Sequence, residues 1–199
     1  MKKIVQKEDD ILREIAVDVP VPDITSPRIA KILSEMKQAL ASQDDGVAIA
    51  APQIGYGLRM FVISPKYISV KSEFDEAEQS SKSQKKELVF INPVILKLSR
   101  EKKEMEEGCL SVRYLYGKVL RAQKATITAY DETGKKFTKG ASGLVAQIFQ
   151  HEVDHLNGVL FIDKARFIEE VIPEHIQKER LLSETDVKNA LKPHAKHTT

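Results

Sequence analysis

The pentapeptide His151-Glu-Val-Asp-His155 restricts the folds open to this chain more than any other segment. Residues four positions apart lie on one face of an α-helix, so both imidazoles can bind a single metal ion if the segment is helical. Glu152 lies one position further round the helix, where its carboxylate can reach a water on the metal without ligating the metal. The pattern therefore predicts a helix with a metal site on one face.

The residues around the pentapeptide favour a buried helix over a surface helix that carries two histidines by chance. Ser142 can cap its start, and Asn157-Gly158 is typical of a helix end. Leu144 and Ile148 share a face with the two histidines. Histidine and glutamate in a buried stripe are costly without a metal or another partner, so the apolar setting supports a metal site.

A hydrolytic metal centre needs a third protein ligand and an open position for water. Cys109, within Glu107-Gly-Cys-Leu-Ser111, is the only cysteine of the chain, and a thiolate is a strong ligand for a borderline metal. The alternative for a lone cysteine is a small buried apolar side chain. The other open alternative is a carboxylate ligand from beyond His155, supplied by Glu169, Glu170 or Glu174.

The composition fits one water-soluble domain in a reducing compartment. The chain has 199 residues and a net charge of +2, which is too balanced to indicate binding to nucleic acid. No apolar stretch approaches the roughly 20 residues of a membrane span, and no apolar run follows the N-terminal lysines as it would in a secretory signal. A single cysteine excludes an intramolecular disulfide. We therefore expect a cytoplasmic protein that binds no membrane and no specific nucleic-acid sequence.

Hydrophobic periodicity and turn residues predict the other elements. A helix capped at Ser26-Pro27 runs to about Ser42, and the small residues of 46–55 form either a tight packing segment or one wall of a site. The predicted short strands are 59–64, 88–91, 94–98 and 159–162, with a hairpin at 118–138 that turns at 131–134. A second amphipathic helix is predicted from about Ala165. A polar insertion at 66–87 and a weakly ordered charged tail at 183–199 complete the chain.

Three segments in this order together resemble the peptide deformylase family. They are Gly46-Val-Ala-Ile-Ala-Ala-Pro-Gln53, Glu107-Gly-Cys-Leu-Ser111 and Gln150-His-Glu-Val-Asp-His-Leu156. The likeness covers about residues 4–163, apart from the insertion. It implies an α+β fold in which mixed or antiparallel sheets surround the HExxH helix, with one N-terminal and one C-terminal helix. The catalytic domain would span 1–182 and precede the tail at 183–199.

The resemblance also implies an activity, which is removal of the formyl group from the N-terminal formylmethionine of newly synthesised proteins. Cys109, His151 and His155 would hold one divalent metal ion. Iron(II) is the usual metal of the family, and zinc, nickel or cobalt can take the site. Metal-bound water would attack the formyl carbon, with Glu152 as general acid and base. The implied partners are N-formylmethionyl nascent peptides.

Motif positions carry over further roles from the family. The side-chain amide of Gln53 and the backbone N–H of Leu110 would stabilise the oxyanion. The backbone of Gly46, Val47 and Ala48 would pair with the substrate as an added strand.

The resemblance also implies that Glu107 and Arg121 form a structural ion pair that orders the cysteine loop. The tail is considered on its own residues. Its basic side chains would favour an approach to the ribosome near its exit tunnel, because cationic segments are attracted to phosphate, but a solvated chain end is the simpler interpretation.

Two positions depart from the family pattern. Ala48 stands where the family usually has glycine, and a methyl group there crowds the substrate backbone. Residues 112–116, Val-Arg-Tyr-Leu-Tyr, replace a segment that more often begins with proline. Both departures bear on substrate preference and rate, and both leave the three ligands in place.

Two other functions fit part of the pattern. An endopeptidase or aminopeptidase of the HExxH kind would use a carboxylate as third ligand and give Cys109 no role. A catalytically silent protein with a structural metal would need four protein ligands, which a chain with one cysteine supplies less readily.

Overall fold

The computed structural model describes residues 2–68, 88–173 and 176–177. The helices in these ranges are α1 Pro27–Ala41, α2 Pro65–Ile68 and α3 Gly143–Leu156. The strands are β1 Ala48–Ala50, β2 Met60–Ile63, β3 Leu88–Leu98, β4 Lys102–Cys109, β5 Val112–Ala122, β6 Lys124–Tyr130, β7 Lys136–Ser142 and β8 Arg166–Glu170. They form a five-stranded sheet ordered β1-β2-β3-β6-β7 and a three-stranded sheet ordered β4-β5-β8. All pairs of neighbouring strands are antiparallel, and the predicted α+β class is confirmed.

Helix α1 forms where its capping residues predict. Ser26 Oγ accepts a hydrogen bond from the backbone N–H of Ile29 at 3.3 Å, and Pro27 occupies the first helical position. The predicted apolar face is buried, and it consists of Ile29, Ile32, Leu33, Met36 and Leu40. This face packs in one cluster with residues of β1 and β2, so α1 supports the β1 end of the larger sheet.

Helix α3 packs against the five-stranded sheet through buried aromatic rings. Phe61 and Phe90 stack with 4.4 Å between ring centroids, and Phe149 of α3 meets Phe90 edge-on at 5.3 Å. All three rings are fully buried, and such rings contribute much of the energy of a core. The helix stops before Gly158, which adopts a φ of 72°. A Cβ at that position would lie 2.4 Å from the carbonyl oxygen of Arg13, so only glycine fits this helix end.

The hairpin of β4 and β5 carries the cysteine. The two strands pair regularly up to Gly108 and Tyr116, and the register then shifts so that Cys109 pairs with Val112. A Cβ on Gly108 would lie 2.8 Å from the ring of Tyr116, so glycine lets this ring pack on the backbone beside Cys109. Because of this irregular register, Cys109 does not follow the regular alternation of side chains between the two faces of the strand.

The two short strands predicted around Asn92-Pro93 are instead one continuous strand, β3. Asn92 adopts a φ of 50°, and the pairing with β6 is irregular between Ile91 and Val94. The side chain of Asn92 accepts a hydrogen bond from Val19 N at 2.8 Å and donates one to Val19 O at 2.7 Å. These bonds hold the irregular residue in place, so pairing resumes beyond it.

The predicted strand at 159–162 and the predicted helix from Ala165 are both wrong. A single 3-10 turn, Phe161–Asp163, stands in place of the strand, and Asp163 Oδ2 accepts a hydrogen bond from Leu160 N at 2.9 Å. In place of the helix, β8 pairs with the outer edge of β5. The edge of β5 offers backbone partners that override the helical preference of this segment, so tertiary context decides its structure.

Two predicted segments fall largely outside the described residues. Helix α2 covers the start of the polar insertion as far as Ile68, and residues 69–87 are not described. The charged tail at 183–199 also lies outside, so the domain boundary at residue 182 stays a prediction. Within the described ranges, no helix combines the length and the apolar character that crossing a membrane requires.

Candidate metal centre

Three candidate ligands converge between the two sheets. Cys109 ends β4, and His151 and His155 lie one turn apart on α3. One ligand atom from each residue lies within 4.8 Å of the others, and Cys109 Sγ lies 3.2 Å from His155 Nε2. The predicted meeting of a helical turn with a distant loop is confirmed.

Helix α3 is held in its rotation by side chains that reach the three-stranded sheet. Gln150 accepts a hydrogen bond from Ala122 N at 3.0 Å and donates one to Ala122 O at 2.9 Å, so its amide replaces a strand partner at the end of β5. Asp154 accepts a hydrogen bond from Arg121 Nη1 at 2.6 Å and another from Lys164 Nζ at 2.7 Å. These contacts fix the helix face that carries the two histidines.

Glu107 connects the ligand His151 to Arg121. Its carboxylate accepts from Arg121 Nε at 2.7 Å and from Arg121 Nη2 at 2.9 Å, and it lies 3.0 Å from His151 Nδ1. Burial alone would raise the pKa of Glu107, but the bonds from Arg121 and His151 hold it at about 2. A charged acceptor at Nδ1 leaves Nε2 of His151 available as a metal ligand.

The thiol of Cys109 is set up to ionise. Burial raises its pKa, but the nearby imidazoles of His155 and His151 outweigh burial and lower it to about 5. The backbone N–H of Ser111 also donates to Cys109 Sγ at 3.4 Å. One thiolate and two imidazoles form a donor set that suits Fe(II), Co(II), Ni(II) or Zn(II), and three protein ligands leave a position open. The residues therefore fit a catalytic divalent metal ion.

Glu152 is buried beside the ligands without a polar partner for one of its oxygens. Its side chain lies in the same cleft as Cys109, and among the described residues nothing hydrogen-bonds to Oε2. Burial raises the pKa of Glu152 to about 7. An orphaned buried carboxylate oxygen is costly, and it is commonly found where a substrate or water is bound.

The side chain of Gln53 lies against the cysteine. Its Oε1 accepts from the backbone N–H of Ala50 at 2.8 Å, which directs the amide nitrogen towards Cys109 Sγ at 3.4 Å and Ser111 Oγ at 3.2 Å. Leu110 is buried next to them, and its carbonyl accepts from Gln6 Nε2 at 3.0 Å. Gln53 and the backbone of Leu110 are thus both adjacent to the ligand set.

A cleft leads from the metal ligands to the surface between the two sheets. Strand β1 forms one edge of the larger sheet, and Val47 and Ala48 line the cleft together with Gly108 of β4. Leu144 and Ile148 of α3 line it as well. Gly46 has a packing role, because a Cβ there would lie 2.9 Å from both the side chain and the carbonyl oxygen of Leu40. The small-residue segment is therefore both a tight packing segment and a wall.

The carboxylate alternatives lie elsewhere. Glu169 and Glu170 are exposed on β8 and do not belong to the ligand cluster, and Glu174 lies outside the described residues. Sequence reasoning also missed several polar residues that support the site, namely Ser111, Gln147, Gln150 and Asp154. Ser111, Gln150 and Asp154 lie within the three resembling segments, which was the one available signal.

Comparison with known proteins gives a consistent result. Residues 1–170 match the family model described as polypeptide deformylase. A peptide deformylase of Carboxydothermus hydrogenoformans is 40% identical over 82% of this chain and 92% of that protein. A tomato (Solanum lycopersicum) relative named peptide deformylase 1A, chloroplastic, is 39% identical over 82% of this chain and 59% of that protein.

Solved structures show the same likeness. The crystal structure of a peptide deformylase from Legionella pneumophila superposes with a TM-score of 0.69 at 34% identity, covering 97% of this chain and 99% of that one. The peptide deformylase from Thermotoga maritima gives a TM-score of 0.70 at 30% identity, over 83% of this chain and 98% of that one.

Proposed function

The chain belongs to the peptide deformylase family, and from that premise we propose how its residues remove the formyl group from the N-terminal methionine of newly made proteins. The family's reaction is a metal-dependent hydrolysis. The observation that carries the proposal is the convergence of Cys109, His151 and His155 beside a buried Glu152 oxygen that lacks a partner. A divalent ion held there, which we propose to be iron(II), would acidify water and polarise the formyl carbonyl.

Glu152 is the proton carrier in this proposal. Its carboxylate lines the cleft but is not one of the three clustered ligands, so it is available to the reacting atoms. It takes a proton from the attacking water and delivers that proton to the departing amine of methionine. A positioned acid and base of this kind contributes about 10²- to 10⁴-fold to the rate.

Gln53 and the backbone N–H of Leu110 stabilise the charge that develops on the formyl oxygen. The bond from Ala50 N to Gln53 Oε1 fixes the rotation of the amide, so its N–H groups point towards the cysteine before substrate arrives. A donor that is already oriented costs no reorganisation during the reaction, and one such donor is worth about 3 kcal/mol of barrier.

The substrate peptide lies along the edge of β1 that has no partner strand among the described residues. That strand pairs with β2 on one side, and its other side faces the cleft through residues 47 and 48. Gly46, Val47 and Ala48 offer backbone groups to an extended peptide, which would add as a further strand. The methyl group of Ala48 borders this path and limits how closely the peptide approaches.

We propose a reducing compartment, because the thiol of Cys109 has to remain a free ligand. The cytoplasm is the compartment expected from the sequence, although the tomato relative is named as chloroplastic. An approach of the basic tail to the ribosome stays a prediction, since residues 183–199 lie outside the described ranges.

A formate-release assay tests the reaction. Iron-loaded protein purified without oxygen is incubated with formyl-Met-Ala-Ser, and we expect formate from the wild type and from Glu104→Gln, which alters an exposed carboxylate of β4 that does not line the cleft. Glu152→Ala is expected to release none while still binding metal. Absence of formate from the wild type would refute the proposed reaction.

Metal analysis of Cys109→Ser tests the ligand set separately. Loss of the bound ion is expected if the thiolate is the third ligand. Full metal occupancy in that variant would support the peptidase alternative, in which a carboxylate takes this position.

A further inference from the structure

An ion pair joins the two sheets at the mouth of the cleft. Arg113 Nη1 lies 2.7 Å from Asp45 Oδ2, and Arg113 Nη2 donates to Gln43 Oε1. Arg113 belongs to β5 of the smaller sheet, whereas Asp45 precedes β1 of the larger one. Both side chains line the cleft, so the pair crosses from one wall to the other.

The two charges of this pair neutralise each other at the edge of the cleft. Among the described residues that line the cleft, Arg113 is the one arginine or lysine, and Glu106 is a further exposed carboxylate. The side chain of Arg113 is 29% exposed and that of Asp45 is 57% exposed, so each remains within reach of a ligand. Removing either partner would leave the other charge uncompensated beside the cleft.

The geometry of β1 brings a bound peptide past this pair. Ala50, at the end of β1, bonds to Gln53, whose amide contacts Cys109, so this end of the strand lies at the metal ligands. A peptide that begins at the metal therefore leaves towards Gly46 and Asp45. Three residues of strand span about 10 Å, which places the second or third peptide residue near Asp45.

We propose that Arg113 and Asp45 form a specificity-determining pair, whose mutual neutralisation lets the cleft accept peptides with either acidic or basic residues after the formylated methionine. The inference rests on the proposed function, because it assigns a position to the substrate of that reaction. It also gives a role to one of the departures from the family pattern, since Arg113 stands in the replaced segment.

Peptides of opposite charge test the pair. The substrates are the amides of formyl-Met-Lys-Lys and formyl-Met-Glu-Glu. The readout is the kcat/KM of the lysine peptide divided by that of the glutamate peptide. Arg113→Gln exposes the carboxylate of Asp45, so this ratio is expected to rise roughly fivefold at low salt, and Asp45→Asn is expected to lower it by about the same factor. The double variant is expected to return to within about threefold of wild type, and the single shifts are expected to shrink at high salt.

The opposite signs separate a role in specificity from a purely structural role. A structural defect would lower the activity on both peptides together, so shifts in one direction, or ratios unchanged in both variants, would overturn the inference. The effects are expected in KM, with kcat on formyl-Met-Ala-Ser within about twofold of wild type.

Two conservative variants keep the inference testable if the neutral variants fold poorly. Arg113→Lys and Asp45→Glu retain both charges, and a changed ratio in either one would contradict the charge argument. If the wild type releases no formate from formyl-Met-Ala-Ser, the proposed function fails. If the wild type is active and the ratio does not respond, the specificity pair alone fails.

Discussion

Replacing Glu107 with glutamine is expected to weaken folding and metal binding together. Donors converge on both carboxylate oxygens: Arg121 Nε and Gln147 Nε2 reach Oε1, and Arg121 Nη2 and His151 Nδ1 reach Oε2. Glutamine keeps the shape of the side chain but places an NH₂ group against one of these donor pairs. It also removes the charge that neutralises the buried guanidinium of Arg121, for which Asp154 remains as a partner.

Two estimates of the cost agree in size. Removing one charge of a buried pair costs about 3–5 kcal/mol. The pKa of Glu107, about 2 against an ordinary 4.5, corresponds to roughly 3 kcal/mol at neutral pH. Because the folded pKa is the lower one, this stabilisation is present above pH 4.5 and is lost as the pH falls towards 2. A loss of about 3 kcal/mol lowers the melting temperature of a chain of this size by roughly 6–12 °C.

The metal site is expected to respond as well, because Glu107 orients the ligand His151. Loss of such a supporting carboxylate typically weakens metal affinity about 10- to 100-fold. Urea unfolding of the metal-free protein measures the first effect, and competition with a chelator measures the second.

Glu106→Gln is the matched control for this prediction. It changes the neighbouring carboxylate, which is exposed, and is expected to alter stability by less than about 0.5 kcal/mol. The reasoning from the buried network is wrong if the free energy of unfolding of Glu107→Gln lies within about 0.5 kcal/mol of that of the control. It is also wrong if Glu107→Gln binds metal as tightly as wild type.

Three further substitutions test local features. Gly108→Ala is expected to cost about 1–3 kcal/mol by urea unfolding, since its Cβ would meet the ring of Tyr116, and adding Tyr116→Ala should recover most of that loss. Ser26→Ala removes the cap of α1 and is expected to cost about 1 kcal/mol in the same assay. Burial would raise the pKa of Asp163, but Arg13 outweighs burial and lowers it, so the stability advantage of wild type over Asp163→Asn should fade as the pH drops below the ordinary aspartate range.

Local signals sufficed to predict α1 and the two histidine ligands. The cap at Ser26 and the spacing of the two histidines act within a few residues, so they are readable from the sequence. The continuity of β3 depends on hydrogen bonds between Asn92 and Val19, which are 73 positions apart. Arg113 and Asp45 are likewise 68 positions apart, and no local pattern in the sequence indicates that they form an ion pair.

The structure of the C-terminal strand β8 also depends on contacts that are distant in the sequence. Residues 166–170 are all exposed, so no buried periodicity could indicate their structure. Their conformation is fixed by the edge of β5, where Leu115 pairs with Glu170 and Tyr116 pairs with Glu169. Predicting a strand here instead of a helix would have required knowing that this segment pairs with β5.

The edge of β1, which pairs with no strand on its cleft side in the described part of the chain, carries a risk of aggregation besides the substrate contacts proposed for it. A strand with unpaired N–H and C=O groups is a template on which any stray polypeptide can grow a sheet, and long flat edges of this kind promote aggregation. Here the edge strand is three residues long and recessed in the cleft. An edge this short can pair with the end of one extended peptide. It offers too few backbone hydrogen bonds for two folded copies to associate edge to edge.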